Sequence, residues 1–516
     1  MSSGYFRQLL MLTFLVLSPL VCLYAQADYA DSKLAYGNLP VGFSHHLQVD
    51  SSRVYRRVQD YTERLQYREL PVSRWYPAQA EAAKRMQIGD YLQVLKEEEE
   101  WENLPNAFVL DWFNYPRNAV TEKNSTYATQ AFADAVPKAG NYPVVLYAPS
   151  FRASSSENFM LCEYLASHGY LVLSIPSRGP GSIMPTGGTA EFAGAQQRDL
   201  EYLFGYAGRL AQADLDRVYT IGFSFGGLAN IPFAMNNRFI DGVISLDGSI
   251  KYNLPAATAL PQFDLLRMRV PFVHFRQKTI PEKVIQEDGI DDSTAEQFAF
   301  LDSLRGVPAY EFNSPNLTHG HFASYGILFE PRDDRQDRPA PLILSSYARL
   351  CEAVLHTLHA MESYKATGVW DAEAYENLIF NTNHPLLRKT DGQKLPSVTV
   401  NYFFDAVRTA GFGKMDSVYN TFLELDPTFT IPQLPLNKIG LQLGLSDKDD
   451  LRKAGIEVLD FAVQRYPDSA NLHDSLATLC QYQGLKDRAI YHFKKSLALF
   501  PGNENAKNQL RRLGAY

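Results

Sequence analysis

From residue 142 onward, unbroken apolar runs alternate with segments whose apolar positions recur at helical spacing. Pro143-Val144-Val145-Leu146-Tyr147-Ala148 has the pattern of a buried strand, and a helix over about 156–168 follows it. Tyr170-Leu171-Val172-Leu173-Ser174-Ile175 is the next strand, then a Gly/Pro loop over 176–188 and an amphipathic helix over about 195–211. Strands at 218–221, 242–246, 270–275 and 307–312 come after it. A helix at 228–237 separates the first two of these, and an acidic, helix-like stretch at 281–304 precedes the last. One long helix over 342–366 carries Leu344, Ala348, Cys351, Val354, Leu355 and Leu358 on one face. Strands that are apolar throughout, rather than every second residue, are buried on both faces, so the pattern predicts a mostly parallel sheet covered by helices. Ahead of it, strands are expected at 39–47 and 69–75 and a helix at 88–100; the rest of 79–136 yields no further element. A polar stretch with two prolines at 380–397 reads as a linker, and the remainder is helical.

That helical remainder repeats. Asn437, Asn471 and Asn505 are spaced by 34 residues, as are Pro467 and Pro501, and Ile456/Ile490, Leu459/Phe493 and Val463/Leu497 pair at the same offset. Thirty-four is the period of a tetratricopeptide helix–turn–helix. Leu472, Leu476, Ala477, Tyr482, Gly484, Ala489, Phe493 and Pro501 resemble that consensus. The first repeat departs from it at Gly455, where alanine is usual, and the third is cut to one helix. Two repeats are few for independent stability, so packing on the preceding domain is expected, with 400–425 docking as an irregular helical pair.

The chain of 516 residues is long enough for two or more domains and is 46% hydrophobic and 21% charged. A net charge of −8 gives no electrostatic reason to expect nucleic acid or an anionic membrane as partner. At the N-terminus, Arg7 precedes an apolar run from Leu9 to Leu23, and Ala25-Gln26-Ala27 supplies small residues for cleavage. The run is interrupted by Ser18-Pro19 and short for a span, so it reads as an export signal over 1–27, leaving no transmembrane segment in the mature chain. Cys162, Cys351 and Cys480 are far apart in apolar helical contexts, which suggests buried thiols; no metal cluster and no cofactor are expected. Asn124-Ser125-Thr126 and Asn316-Leu317-Thr318 are glycosylation sequons.

The candidate chemistry centres on Gly222-Phe223-Ser224-Phe225-Gly226, with an apolar β-branched run before it and a helix after it. A chain of this length shows Gly-x-Ser-x-Gly by chance with a probability on the order of 0.1, so the setting carries the weight. A strand–turn–helix with glycines at Gly222 and Gly226 is the nucleophile elbow of α/β-hydrolases, in which the order along the chain is serine, acid, histidine. Asp247, ending Val243-Ile244-Ser245-Leu246-Asp247, is the best-placed acid: the 23 residues from Ser224 hold one helix and one strand, which returns the chain beside the nucleophile's strand. The following strand runs into Arg276-Gln277-Lys278, and its first carboxylate is Glu282. For the base, Thr318-His319-Gly320-His321-Phe322 lies on a loop after the last strand, and topology alone does not choose between His319 and His321. His274 lies within a strand, and His356 and His359 on the long helix, where histidines are core or surface residues. The oxyanion hole needs the Phe225 N–H and a donor after the strand at 143–148; Pro149 has no N–H, which leaves Ser150 or Phe151.

These segments together resemble the platelet-activating-factor acetylhydrolase branch of the dienelactone-hydrolase-like α/β-hydrolases. The resemblance runs through Leu39-Pro40-Val41-Gly42-Phe43, Val72-Ser73-Arg74-Trp75-Tyr76-Pro77, Leu165-Ala166-Ser167-His168-Gly169-Tyr170, the elbow, and the strand into Asp247. It covers roughly 36–360 and implies Ser224 as nucleophile, Asp247 as acid, His319 of His319-Gly320-His321-Phe322-Ala323 as base, and Phe151 as oxyanion donor. One departure is Ala148-Pro149-Ser150, where the family usually has Ser-His-Gly. The expected architecture is an α/β-hydrolase domain over 28–370, a helical linker region over 371–435, and tetratricopeptide-like repeats over 436–516. The expected function is an exported, periplasmic or secreted serine esterase/acyl hydrolase of a Gram-negative type of host, acting on a small-molecule or lipid ester. The competing reading is a non-catalytic hydrolase-fold scaffold that binds a protein partner, or itself, through the repeats; the three catalytic residue types in the right order argue against it.

Overall fold

The computed structural model describes residues 27–54, 67–79, 83–99, 102–113, 115, 117–180, 189–278, 280, 285–286, 297–330, 339–390, 400–425 and 429–516. The expected leader up to residue 26, the end of the Gly/Pro loop, and most of the acidic stretch with Glu282 lie outside the described residues. The chain divides into two compact units, Met1–Lys394 and Leu395–Tyr516.

The first unit is built on one eleven-stranded sheet in the order β11-β10-β9-β8-β7-β5-β6-β2-β1-β4-β3. The strands are β1 (Val41–Val54), β2 (Tyr67–Pro77), β3 (Arg85–Gln87), β4 (Ala128–Ala133), β5 (Tyr142–Ala148) and β6 (Leu171–Ser174). After them come β7 (Ala213–Phe223), β8 (Gly242–Leu246), β9 (Phe272–Gln277), β10 (Ala309–Ser314) and β11 (Leu386–Thr390). From β6 to β10 every pairing is parallel. β2 joins β6 antiparallel and β11 joins β10 antiparallel, so the antiparallel strands sit toward the edges. β7 starts well before its apolar run because Tyr142 and Pro143 pair with Ala213 and Asp214 across an irregularity in the ladder.

Side chains alternate between two cores, as the pleat requires. Val145, Tyr147, Tyr219 and Ile221 face one side, which also holds Tyr91, Phe159 and Leu358 from the helices Ile88–Glu98, Phe159–Ser167 and Ala340–Thr367. Val144, Leu146 and Val218 face the other, with Leu200 and Leu228 from Thr189–Ala207 and Gly226–Asn236. The helix expected at 88–100 runs over Ile88–Glu98, and a buried polar line passes through its Tyr91. Trp75 Nε1 donates to Tyr91 Oη at 2.9 Å, and Tyr91 Oη donates to the Glu163 carboxylate at 2.7 Å. Burial pushes Glu163 up to about 7, against the hydrogen bonds it accepts.

One expectation is corrected here. Residues 372–390 are not linker: helix Ala372–Asn381 sets Tyr375 edge-on against Tyr310 and Phe312 of β10, and β11 then pairs with β10. An edge strand pairs on one side only and tolerates polar, exposed side chains, which is why 386–390 carries no apolar signature. The Asn124 sequon is sealed: the side chain is buried, accepts from Tyr29 N–H at 2.9 Å, and donates to the Ala27 and Leu328 carbonyls. Ala27, the last residue of the expected leader, is itself buried by that contact.

The second unit contains helices Val400–Ala410 and Met415–Leu425, then Gln433–Gly444, Asp449–Arg465, Ala470–Tyr482, Lys486–Leu499 and a final single helix Glu504–Arg512. The 400–425 pair belongs to this unit; Phe403 packs 5.7 Å from Phe461, and Arg465 pairs with Asp416 at 2.9 Å. Gly455 has a steric reason to depart from alanine: a Cβ there would lie 2.2 Å from the Gly444 nitrogen. Cys162, Cys351 and Cys480 are free and buried. No described helix is long and apolar enough to cross a membrane.

Candidate active site

β7 delivers the chain into a turn at Ser224 and Phe225, and the helix Gly226–Asn236 leaves at once. Ser224 has φ of 51°, a left-handed conformation that costs a non-glycine residue roughly 1–3 kcal/mol and holds its side chain clear of the strand. The turn is pinned on both sides: Ser224 N–H donates to the Leu246 carbonyl at 3.0 Å, and the Ser224 carbonyl accepts from Ser249 N–H at 2.8 Å. Close approach makes the two motif glycines obligatory. A Cβ on Gly226 would lie 2.0 Å from the Ala148 carbonyl oxygen, and one on Gly222 would lie 2.3 Å from the Gly226 oxygen. The elbow therefore rests directly on the carboxyl end of β5, where ligands of parallel sheets bind.

Asp247 follows β8 with φ of 41° and is fully buried. Its N–H donates to the Phe275 carbonyl at 2.7 Å, tying the acid to β9. Gln277, at the end of β9, then grips the carboxylate twice: its N–H donates to Oδ1 at 3.0 Å and its Nε2 to Oδ2 at 2.8 Å. His319 starts the short helical turn His319–Phe322 after β10. Its Nδ1 lies 2.6 Å from Asp247 Oδ2 and its Nε2 lies 2.9 Å from Ser224 Oγ. Serine, histidine and aspartate thus form one continuous line across the ends of β7, β8 and β10.

The line is wet at one end and dry at the other. The His319 side chain is 48% exposed, whereas that of Asp247 is 0% exposed. Burial would raise the Asp247 carboxyl, but the hydrogen bond and charge of His319 and the Gln277 N–H hold it below its ordinary value. Desolvation works against a charged His319, yet the hydrogen bond and charge of Asp247, helped by Glu330 and Glu157, carry the imidazole above its ordinary value. The arrangement suits a group that must accept a proton from a hydroxyl and hold it. His321 is placed differently. It is 4% exposed, and its Nδ1 accepts from Thr318 N–H at 3.2 Å and lies 2.9 Å from Thr318 Oγ1, so it fastens its own turn. His274 is buried against Ser245 Oγ at 3.0 Å, and burial pushes it down to about 3.

Phe225 opens the elbow helix, and Phe151 stands on the loop after β5; their rings meet edge-on at 5.4 Å. Among the described residues neither backbone N–H donates to a protein acceptor. Phe223 lies 5.1 Å from the His319 ring, and Phe192 lies 5.0 Å from Phe151. Gln277 escaped the reading of the sequence because an amide offers no titratable signal; only its double contact with Asp247 reveals it.

No known family model matches this chain. No curated protein matches it. Solved structures with some likeness include a ferulic acid esterase from Streptomyces cinnamoneus, with a TM-score of 0.45 and 18% identity over 70% of this chain and 100% of that one. Another is DcsB in complex with its substrate analogue, with a TM-score of 0.29 and 11% identity over 43% of this chain and 90% of that one. Likeness at this level leaves the chemistry to the residues themselves. Those residues sit on a mostly parallel, helix-covered sheet with a serine at a strand-to-helix elbow, the α/β-hydrolase fold, followed by an all-helical unit.

Proposed function

We propose that the protein is an exported serine esterase of the dienelactone-hydrolase-like group, hydrolysing short-acyl carboxylic esters, lipid esters among them. The observation that carries the reading is the unbroken line Ser224 Oγ–His319–Asp247, with spacings of 2.9 Å and 2.6 Å. In this reading Ser224 Oγ attacks the ester carbonyl carbon while its proton passes to His319 Nε2. Asp247 keeps the imidazole proton on Nδ1 and stabilises the imidazolium that forms. The Phe151 and Phe225 N–H groups receive the oxyanion, a contribution worth about 3–4 kcal/mol per donor in comparable sites. Collapse breaks the ester C–O bond, His319 Nε2–H protonates the departing alcohol, and the acyl group stays on Ser224. Water then attacks that acyl carbon, giving its proton to His319, and the second collapse returns the proton to Ser224 and releases the acid. Export is supported by the apolar leader at 1–27, and the paired helices of the second unit, with the 34-residue spacing, support a tetratricopeptide-like reading.

A panel of chromogenic esters tests the activity. Turnover is expected to be highest for short acyl chains. Because His319 must be neutral to act and its proton affinity is raised above 6.5, kcat/KM should fall on the acid side with a midpoint above that value. Absence of turnover with every ester across the neutral range, or an acid limb below the ordinary imidazole value, contradicts the reading.

A further inference from the structure

The loop that carries Phe151 is held by a carboxylate outside the Ser–His–Asp line. Ser150 N–H donates to Glu157 Oε2 at 2.9 Å, and Ser150 Oγ donates to Glu157 Oε1, so one side chain grips the residue before Phe151 at two points. Glu157 is 7% exposed. The neighbouring backbone is fixed as well: Gln196 Nε2 donates to the Pro149 carbonyl at 2.8 Å, and Ala153 N–H donates to the Ser150 carbonyl at 3.1 Å. Within this frame the Phe151 N–H is left with no protein acceptor among the described residues. The same carboxylate acts electrostatically on His319, favouring its charged form.

We propose that Glu157 is a positioning residue for acyl transfer: its ionised carboxylate clasps Ser150 so that the Phe151 N–H faces the developing oxyanion. The proposal rests on the serine-esterase reading. It stands on the two-point grip on Ser150 and on the fixing of the backbone on either side of it. The charged and titratable groups facing Glu157 are His319, Glu330 and the phenols of Tyr115, Tyr147 and Tyr325. Burial pushes Glu157 up to about 7, the Ser150 hydrogen bonds oppose this, Glu330 adds to it and His319 opposes it. The clasp therefore strengthens as the pH rises through about 7, where the carboxyl ionises and both oxygens accept.

Glu157→Gln keeps the shape but turns one acceptor into a donor facing a donor on Ser150. We expect kcat to fall about 30-fold with KM within about threefold, the signature of a lost transition-state contact. Removing a carboxylate whose charge favours the His319 imidazolium should also move the acid limb of kcat/KM down. Ser150→Ala removes only the hydroxyl arm, and a fall of about fivefold with an unmoved limb is expected. A purely structural role would lower the thermal midpoint and leave the acid limb in place. A folded Glu157→Gln variant with kcat within twofold of wild type, or with an unmoved limb, overturns the proposal. If Glu157→Gln does not fold, Ser150→Ala decides, and an unchanged kcat there overturns it. Labelling of the wild type by a fluorophosphonate separates the two levels. Without labelling the esterase reading falls and this proposal with it; with labelling and unchanged variants, only the role of Glu157 falls.

Discussion

His319→Ala removes ester turnover, with kcat falling by about 10⁴–10⁶-fold, whereas His321→Ala keeps kcat within a few-fold and loses stability instead. The two histidines stand two residues apart on one short turn, yet they do different work. His319 Nε2 touches Ser224 Oγ at 2.9 Å, and among the described residues no second base is hydrogen-bonded to that hydroxyl. His321 turns inward to the Thr318 N–H and hydroxyl. Truncating it leaves the Thr318 N–H without its Nδ1 acceptor, which costs about 1–3 kcal/mol. The measurements are kcat on a chromogenic ester and the urea midpoint for both variants. Full activity in His319→Ala, or loss of activity in a stable His321→Ala, would reverse the assignment.

The second large effect falls on the acid. Asp247→Asn should fold and bind substrate but lower kcat by about 10⁴-fold. The reason lies in the donor count. The Gln277 backbone N–H on Oδ1 cannot be reversed, whereas the Gln277 amide on Oδ2 can flip to offer its oxygen, so an asparagine keeps its single carbonyl oxygen at the Oδ1 position and its NH₂ at the Oδ2 position shared with His319. Its NH₂ then faces His319 Nδ1, which can meet it only as an acceptor. The ring proton is driven to Nε2, where it confronts the Ser224 hydroxyl with a donor, and the serine has no base. A stopped-flow or steady-state kcat with KM largely preserved is the expected signature. An Asp247→Asn variant retaining a tenth or more of wild-type kcat would show that the aspartate does not set the tautomer.

The parts of the site that could be read along the chain were those fixed by covalent spacing. Ser224 and Asp247 stand at the ends of apolar strands, and such strands announce themselves by composition. The choice between His319 and His321 was even by topology, because residues two apart on a tight turn share a loop but point to different sides. Gln277 and Glu157 were not legible: each acts by hydrogen bonds, Gln277 on a residue 30 positions away and Glu157 on one 7 away, and neither belongs to a motif. The fold shows the same division. Buried parallel strands and the helix that carries Tyr91 were readable to within a few residues, while β11 and the helices Asn106–Trp112 and Ala119–Thr126 owe their form to tertiary contacts rather than local pattern. The Asn124 sequon illustrates the limit from the other side, since a short motif carries no information about burial.

The central claim is that Ser224 is an activated nucleophile, and its most direct test is covalent capture. Incubation with a fluorophosphonate followed by peptide mass analysis should place one phosphonyl adduct on Ser224 in the wild-type protein. Labelling should vanish in Ser224→Ala and slow by orders of magnitude in His319→Ala. A folded wild-type protein that takes up no label, or takes it up equally when Ser224 is alanine, would contradict the account.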